Sequence, residues 1–278
     1  MSAPFSVLLP VYRGDRPDYV RRSFRSVVDD QELRPSEVVI VRDGPVGAEL
    51  TETLAELGSR SAVPVVRVDL EENVGLALAL EAGLAACSYE IVARQDADDV
   101  SRPRRFAVQV PLVAGGLDVV GSAIEEFGSD LDGDAQGLVR VPPLSAQEIA
   151  ETSRFASPFN HPTVVYRRSV VEAVGGYEDL PLMEDYWLFA RLVAHGARMA
   201  NVAEPLVRYR VGAGAYARRG GSRLLRSELE LQRRLRREGF TTLGQAARNV
   251  AVRGGYRLVP ESARRSLYRT WIRLRRSG

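Results

Sequence analysis

Short β-branched runs alternate with helical periods through the first hundred residues, and this alternation constrains the fold more than any other feature of the chain. Residues 5–10 (FSVLLP) form a continuous apolar run of the buried-strand type, and residues 18–30 place Val20, Phe24, Val27 and Val28 on one helical face. Residues 37–42 (EVVIVR) predict a second strand, ended by the turn Asp43-Gly44-Pro45. A helix over 50–57, a strand over 65–68 and a helix over 74–86 follow. A fourth strand over 90–94 (EIVAR) is closed by Gln95-Asp96-Ala97-Asp98-Asp99. Strand–helix–strand units of this length predict an α/β fold, with a mostly parallel central sheet flanked by helices and right-handed crossovers. Ligands of such sheets sit beyond the carboxyl ends of the strands. The polar clusters after the first, second and fourth strands therefore mark the expected site.

The pattern then becomes mixed. A helix runs to about residue 112, strand-like residues span 118–127, and the polar loop 128–137 (GSDLDGDAQG) follows. A helix near 145–153, a strand at 163–166, a helix at 169–174 and a stronger helix at 184–195 complete the body. A soft boundary near residue 217 divides the chain into a body, 1–217, and an arginine-rich helical extension, 218–278.

Charge sharpens that division. The 278 residues contain no lysine, so all 38 basic residues are arginine, set against 36 acids for a net charge of +2. The missing lysine is read as genomic codon bias. From residue 218 onward there are 17 arginines against four glutamates, a net +13, while the rest carries 21 arginines against 32 acids, a net −11. An acidic body with a basic tail suggests a polyanionic surface as partner, membrane or nucleic acid. The most apolar stretch, 107–124, is interrupted by Gln109, Pro111, Gly115, Gly116 and Asp118 and is too broken to cross a bilayer. The single cysteine, Cys87, forms no internal disulfide and is expected in the core; with no leader of the secretory type, a reducing, cytoplasmic compartment is expected.

Three carboxylates within four residues, Asp96, Asp98 and Asp99, repel one another unless a cation or strong donors sit among them. A hard divalent ion takes one or two carboxylates and completes its shell with diphosphate oxygens, which suits a nucleotide-diphosphate substrate; a solvated turn is the alternative. Asp43-Gly44 is either a tight turn or an acid placed for a base or ribose, and Asn73 is a plausible N-cap. Glu184 and Asp185 at a helix start either complement the macrodipole or present a general base. His161 and His195 stand alone, too few for a histidine metal site. Asp130, Asp132 and Asp134 alternate as in calcium loops, but the twelfth position is Val141 and a polar loop is expected. Val11-Tyr12-Arg13-Gly14 stands where a dinucleotide-binding glycine motif would be, and without lysine a Walker A loop is impossible.

Taken in order, FSVLLPVYRGDRPDYVRRSFRSV, EVVIVRDGP, NVGLALALEAGL, EIVARQDADDVSRPRRF, NHPTVVYRRSVVEAVGGY and MEDYWLFARL resemble the family 2 glycosyltransferases of bacterial capsule and exopolysaccharide (amylovoran-type) synthesis. The resemblance covers about residues 5–210 and no part of the tail. It implies a GT-A fold and an inverting, Mg²⁺- or Mn²⁺-dependent transfer from a nucleoside-diphosphate sugar, a UDP-sugar by preference, to a glycan or lipid-linked acceptor. It places the metal at Asp98 and Asp96, with the share of Asp99 left open. It places the nucleotide at Pro10, Val11, Tyr12, Asp43, Asn73, Gly75, Arg94 and Asp96, with Arg94 facing the pyrophosphate. Asp185 is the implied base. Glu184, Arg191, Asn160, His161, Gly176 and Tyr177 fall on the acceptor or phosphate side. A Gln-x-x-Arg-Trp block, which the processive members carry, is missing, so single addition is expected.

In the tail, Leu267, Tyr268, Trp271, Ile272 and Leu274 mark one helical face surrounded by arginines, which reads as an interfacial anchor on anionic lipid. The expected location is therefore peripheral, at the inner face of the plasma membrane, with packing on the body or on a second copy in a homodimer as the alternative. Two other functions compete with the glycosyltransferase reading. A sugar-phosphate nucleotidyltransferase would carry a glycine-rich basic loop after the first strand, which PVYRGDRP does not match. A nucleic-acid binder would use the tail, but the acidic body and the lack of an aromatic-basic platform argue for no nucleic acid.

Overall fold

A computed structural model describes residues 3–128, 137–211 and 222–255. Its first half follows the expected alternation: β1 (Phe5–Tyr12), α1 (Pro17–Val28), β2 (Glu37–Asp43), α2 (Ala48–Arg60), β3 (Val65–Asp69), α3 (Leu76–Ala86) and β4 (Ile91–Arg94). Next come β5 (Val100–Ser101), α4 (Arg105–Ala114), β6 (Val119–Phe127), β7 (Val139–Arg140), α5 (Ala146–Thr152), β8 (Val165–Arg167) and α6 (Arg168–Ala173). The last elements are α7 (Glu184–Ala194), β9 (Met199–Arg210), α8 (Ser222–Arg237) and α9 (Leu243–Asn249).

The strands form one sheet in the order β3-β2-β1-β4-β8-β6-β9-β5, with β7 on the flank of β6. From β3 to β4 every pairing is parallel. Beyond β4 the sheet is mixed, because β8 runs antiparallel to both β4 and β6 whereas β9 runs parallel to β6. The apolar runs are continuous because both faces are covered. Val7 and Leu9 of β1 and Val38 and Ile40 of β2 pack with α1, α2 and α4, while Leu8, Val39 and Val41 pack with α3 and α7. Period-two alternation thus sorts one strand into two cores.

Strand β9 departs from the sequence expectation, which placed no element there. Asn201, Glu204, Pro205 and the arginines hide its strand character, and its register against β6 shifts around Ala123, where Pro205 pairs. Residues 161–163 form a 3₁₀ turn before β8, so the strand expected at 163–166 begins later, at Val165. Cys87 is core as expected, its thiol pushed up to about 12 by burial. The loop aspartates Asp130, Asp132 and Asp134, the boundary near 217 and the anchor helix proposed for 264–276 lie outside the described residues. Within them, no helix is long and apolar enough to cross a membrane. α8 buries Leu224, Leu231 and Leu235 against Met183, Tyr186, Trp187 and Ala190 at the start of α7.

Candidate functional site

Parallel pairing of β1, β2 and β4 brings their carboxyl ends together. Tyr12 is level with Asp43 across β1 and β2, and the Gln95 N–H donates to the Leu8 carbonyl at 2.9 Å. The loops after these strands therefore converge at one edge, where the strand-end rule puts a ligand.

Asp43 ends β2 buried, at 4% exposure. Its carboxylate accepts from Asn73 Nδ2 at 2.8 Å, Val74 N at 2.7 Å and Gly75 N at 3.1 Å. Asn73 is accordingly not an N-cap. The cap position of α3 is Gly75, and the Asp43 carboxylate from a neighbouring strand satisfies the N–H groups at its entry. Gly44 (φ +80°) is obligatory here, because a Cβ would lie 2.5 Å from the Asn73 nitrogen. Of the first-strand residues, Val11 is 1% exposed with its side chain in the core, and Pro10 is also buried, while the Tyr12 ring is 47% exposed. Only Tyr12 offers a side chain to a nucleotide.

The Asp96–Asp99 turn is held from beneath. Arg105, fully buried on α4, donates to the Arg94 carbonyl at 2.6 Å, Gln95 Oε1 at 2.6 Å and Ser101 Oγ at 2.8 Å. Burial and the Arg94 charge bring Arg105 down to about 9. Gln95 Nε2 in turn donates to the carbonyls of Asp96 at 3.1 Å and Asp99 at 3.0 Å. Arg94 is 2% exposed and grips the Asp96 carboxylate through both terminal nitrogens. In this structure Arg94 is the buried partner of Asp96. Burial works against its charge, and Asp96, Tyr177, Asp99 and Asp185 outweigh that cost.

Carboxylate oxygens of Asp96, Asp98 and Asp99 lie within 4.8 Å of one another. Asp99 is fully buried: Oδ1 accepts from the Arg210 N–H at 2.8 Å, and Oδ2 has no hydrogen-bond partner. Burial, then the charges of Asp96 and Asp98, push its carboxyl well up. An all-oxygen set with one buried, unpartnered oxygen fits a hard divalent ion such as Mg²⁺ or Mn²⁺. Two residues missed from sequence join this cluster. Asp15, whose Oδ2 accepts from the Tyr12 N–H at 2.8 Å, is driven up to about 7 by burial, with Asp98 and Asp96 adding to it. Arg210, at the end of β9, donates from Nε to the Asp98 carbonyl at 3.0 Å and stacks 3.7 Å from the Tyr19 ring. Asp15 could have been found as an acid three residues beyond Tyr12 in a turn; Arg210 had no such signal.

The second group surrounds the start of α7. Leu182 adopts φ +67°, a left-handed conformation rare for leucine, two residues before the helix. Asp185 Oδ1 accepts from the Tyr186 N–H at 2.7 Å. Burial raises the Asp185 carboxyl, opposed by that N–H and by Arg94, and burial with the Asp185 charge raises Glu184 to about 7. Arg94 is therefore felt on both sides of the site. His161 Nε2 lies 3.0 Å from the Tyr177 hydroxyl, and burial holds the imidazole well below its usual range, hence neutral. The Tyr177 N–H donates to Glu81 at 2.5 Å, and Gly176 (φ +66°) is so close to Glu81 that a Cβ would lie 2.4 Å from its carboxylate. Arg191 does not reach this group as a free cation. Its guanidinium donates to the Val174 and Gly176 carbonyls and pairs with Glu178 at 3.0 Å, closing the turn after α6. Asn160 donates to the Ser122 carbonyl at 2.9 Å. A concavity of about 310 Å³ along α7, lined by Trp187, His195, Leu235, Glu238 and Phe240 among others, shares Val174 and Arg191 with these residues.

A sequence profile described as glycosyl transferase family 2 matches residues 6–175. An uncharacterized glycosyltransferase of Haemophilus influenzae is 39% identical over 97% of this chain and 99% of its own length. The amylovoran biosynthesis glycosyltransferase AmsE of Erwinia amylovora is 35% identical over 95% and 97%. The UDP-Gal:alpha-D-GlcNAc-diphosphoundecaprenol beta-1,3-galactosyltransferase of Escherichia coli is 32% identical over 97% and 96%. Among solved structures, residues 1–349 of S. aureus TarS in complex with UDP-GlcNAc superpose with a TM-score of 0.62 at 17% identity, covering 82% of this chain and 65% of that one. That likeness concerns the fold.

Proposed function

The chain belongs to glycosyltransferase family 2, and from that membership we propose that it transfers a single sugar, with inversion, from a UDP-sugar to a hydroxyl of a glycan or lipid-linked acceptor in cell-surface polysaccharide assembly. The observation that carries this reading is the three-carboxylate cluster at the end of β4, with the buried Asp99 Oδ2 left without a donor. Asp98, Asp99 and the Arg94-paired Asp96 hold the divalent ion. When bound, that ion supplies electrostatic stabilisation of the leaving diphosphate. Tyr12 and the loop that Asp43 ties to Asn73 and Gly75 receive the nucleoside. Asp185 takes the proton of the acceptor hydroxyl as that oxygen attacks the anomeric carbon from the face opposite the diphosphate. Glu184 and the neutral His161–Tyr177 pair line the acceptor side. The relatives from E. amylovora and E. coli, by their names, act in amylovoran synthesis and on a diphosphoundecaprenol acceptor, which supports the substrate classes proposed. A panel of nucleotide sugars with Mg²⁺ or Mn²⁺, scored by thermal shift and slow donor hydrolysis, tests the reading. Release of nucleoside diphosphate is expected, and a panel giving no shift and no hydrolysis with any donor would sink it.

The second part of the proposal is placement, with residues 1–217 as the catalytic domain and 218–278 as a basic extension at the inner membrane face. On α8, Arg223, Arg226, Arg233, Arg236 and Arg237 are exposed together with Leu229, and Leu243 and Val252 are 73% and 58% exposed nearby in sequence. Arginines beside exposed leucine suit an anionic lipid surface, at about 1 kcal/mol per basic residue. The full chain is expected to float with anionic vesicles at low salt, and to lose much of that binding when Arg233, Arg236 and Arg237 are changed to Glu. Unchanged flotation of that variant, or of a chain cut before Arg218, refutes the placement.

A further inference from the structure

We propose that the described part of the C-terminal extension, residues 222–255, forms together with Tyr186 of α7 a positioning clamp for the catalytic centre. In this clamp Arg253, Asn249 and Tyr186 fix the 153–155 turn against the first turn of α7, and through it the base Asp185 and the acceptor-side residues that follow the turn. The inference rests on the reading of Asp185 as the base. Three successive carbonyls of the turn are each taken by a different side chain. Tyr186, next to Asp185, donates its hydroxyl to Ser153 at 3.0 Å; Asn249 donates Nδ2 to Arg154 at 2.8 Å; and Arg253 donates Nη1 to Phe155 at 3.2 Å. Arg253 is itself held by Glu228, fully buried on α8, at 2.8 Å, and its guanidinium lies 5.1 Å from the centre of the Tyr186 ring. Gln232 ties Glu228 and Asn249 together at 3.0 Å each. Asn160 and His161 follow this turn by five to six residues in the chain.

Docking of α8 does not require this network, because Leu224, Leu231 and Leu235 already bury an apolar face on α7. A buried ion pair adds little net stability over apolar packing, and its advantage is one defined geometry. Three donors on three consecutive carbonyls leave the turn a single seat. The charge of Arg253 is also among those that oppose the effect of burial on Asp185.

The test uses the full chain with its donor and acceptor, and compares R253M, R253K and Y186F with D185N. Arg253→Met and Tyr186→Phe are expected to lower kcat roughly 10- to 100-fold, the cost of misplacing a reacting group by about 1 Å. Donor Kd is expected to stay within about twofold of the parent, because the metal and nucleotide loops are untouched. Arg253→Lys keeps the charge and is expected to recover part of the loss. If R253M does not fold, Y186F decides alone, since it removes one hydroxyl and leaves the ring in place. Unchanged kcat per folded molecule in Y186F, or a loss of donor binding parallel to the loss of kcat, overturns the clamp. If D185N is inactive while the clamp variants behave like the parent, the clamp fails alone. If D185N transfers normally, the reading of the base fails instead.

Discussion

Asp185→Asn is expected to bind the nucleotide-sugar donor as the parent chain does and to lose transfer by about 10²- to 10⁴-fold, the contribution of one positioned general base. The substitution keeps size and keeps an oxygen for the Tyr186 N–H, so the start of α7 stays in place. Only the ability to take the acceptor proton is removed. A pH profile gives a second check. A base acts deprotonated, and burial raises the Asp185 carboxyl above its ordinary value. The parent kcat/KM should therefore climb with pH through that raised range and level off above it, and the residual activity of the Asn variant should lack this limb. Isothermal titration with donor and metal, alongside initial rates, separates the two effects. Full transfer by Asp185→Asn would remove the residue from the role of base.

Asp98→Asn is expected to act at the other end of the reaction. Asp98 is one of three carboxylates whose oxygens lie within 4.8 Å of one another, and its charge adds to the negative field that draws a cation. Donor affinity in Mg²⁺ or Mn²⁺ should fall by about 100-fold or more, beyond the loss that outer-shell changes at metal sites produce. It should then match the affinity measured in EDTA. Stability should move the other way: the Asp98 charge helps push the Asp99 carboxyl up, so removing it relieves repulsion and the metal-free variant should melt no lower than the parent. Metal-dependent donor binding at parental strength in this variant would take Asp98 out of the site.

The β-branched runs of β1, β2 and β4 and the polar clusters after them were legible because a two-sided parallel strand must be apolar throughout and its ligand edge must not be. The acids Asp43, Asp96 and Asp98 stood out for the same reason, as charges where an apolar pattern stops, whereas Asp185 at a helix start was singled out by the family resemblance. Strand β9 was not legible, since Pro205 and the arginines mask its strand character and its pairing with β6 needs a shifted register. Nor were the duties of three residues that look functional by type. Asn73 ties a loop to Asp43 rather than capping α3, Arg191 closes the turn after α6, and Arg94 pairs with Asp96 beneath the Asp96–Asp99 turn.

By its own pattern the sequence determined the α/β class and the sheet edge at which its acidic turns gather, and the family resemblance added the roles proposed for those acids. Periodicity, burial and charge are local properties that a run of residues displays by itself. Tertiary structure alone decided which polar groups are left over for substrate. A guanidinium or amide is spent or free according to the carbonyl it meets, and those partners lie up to 112 residues away, as for the Arg210 guanidinium with the Asp98 carbonyl. The same holds for the extension. In sequence it is a basic tail, and only folding sets Arg253 against the turn behind Asp185.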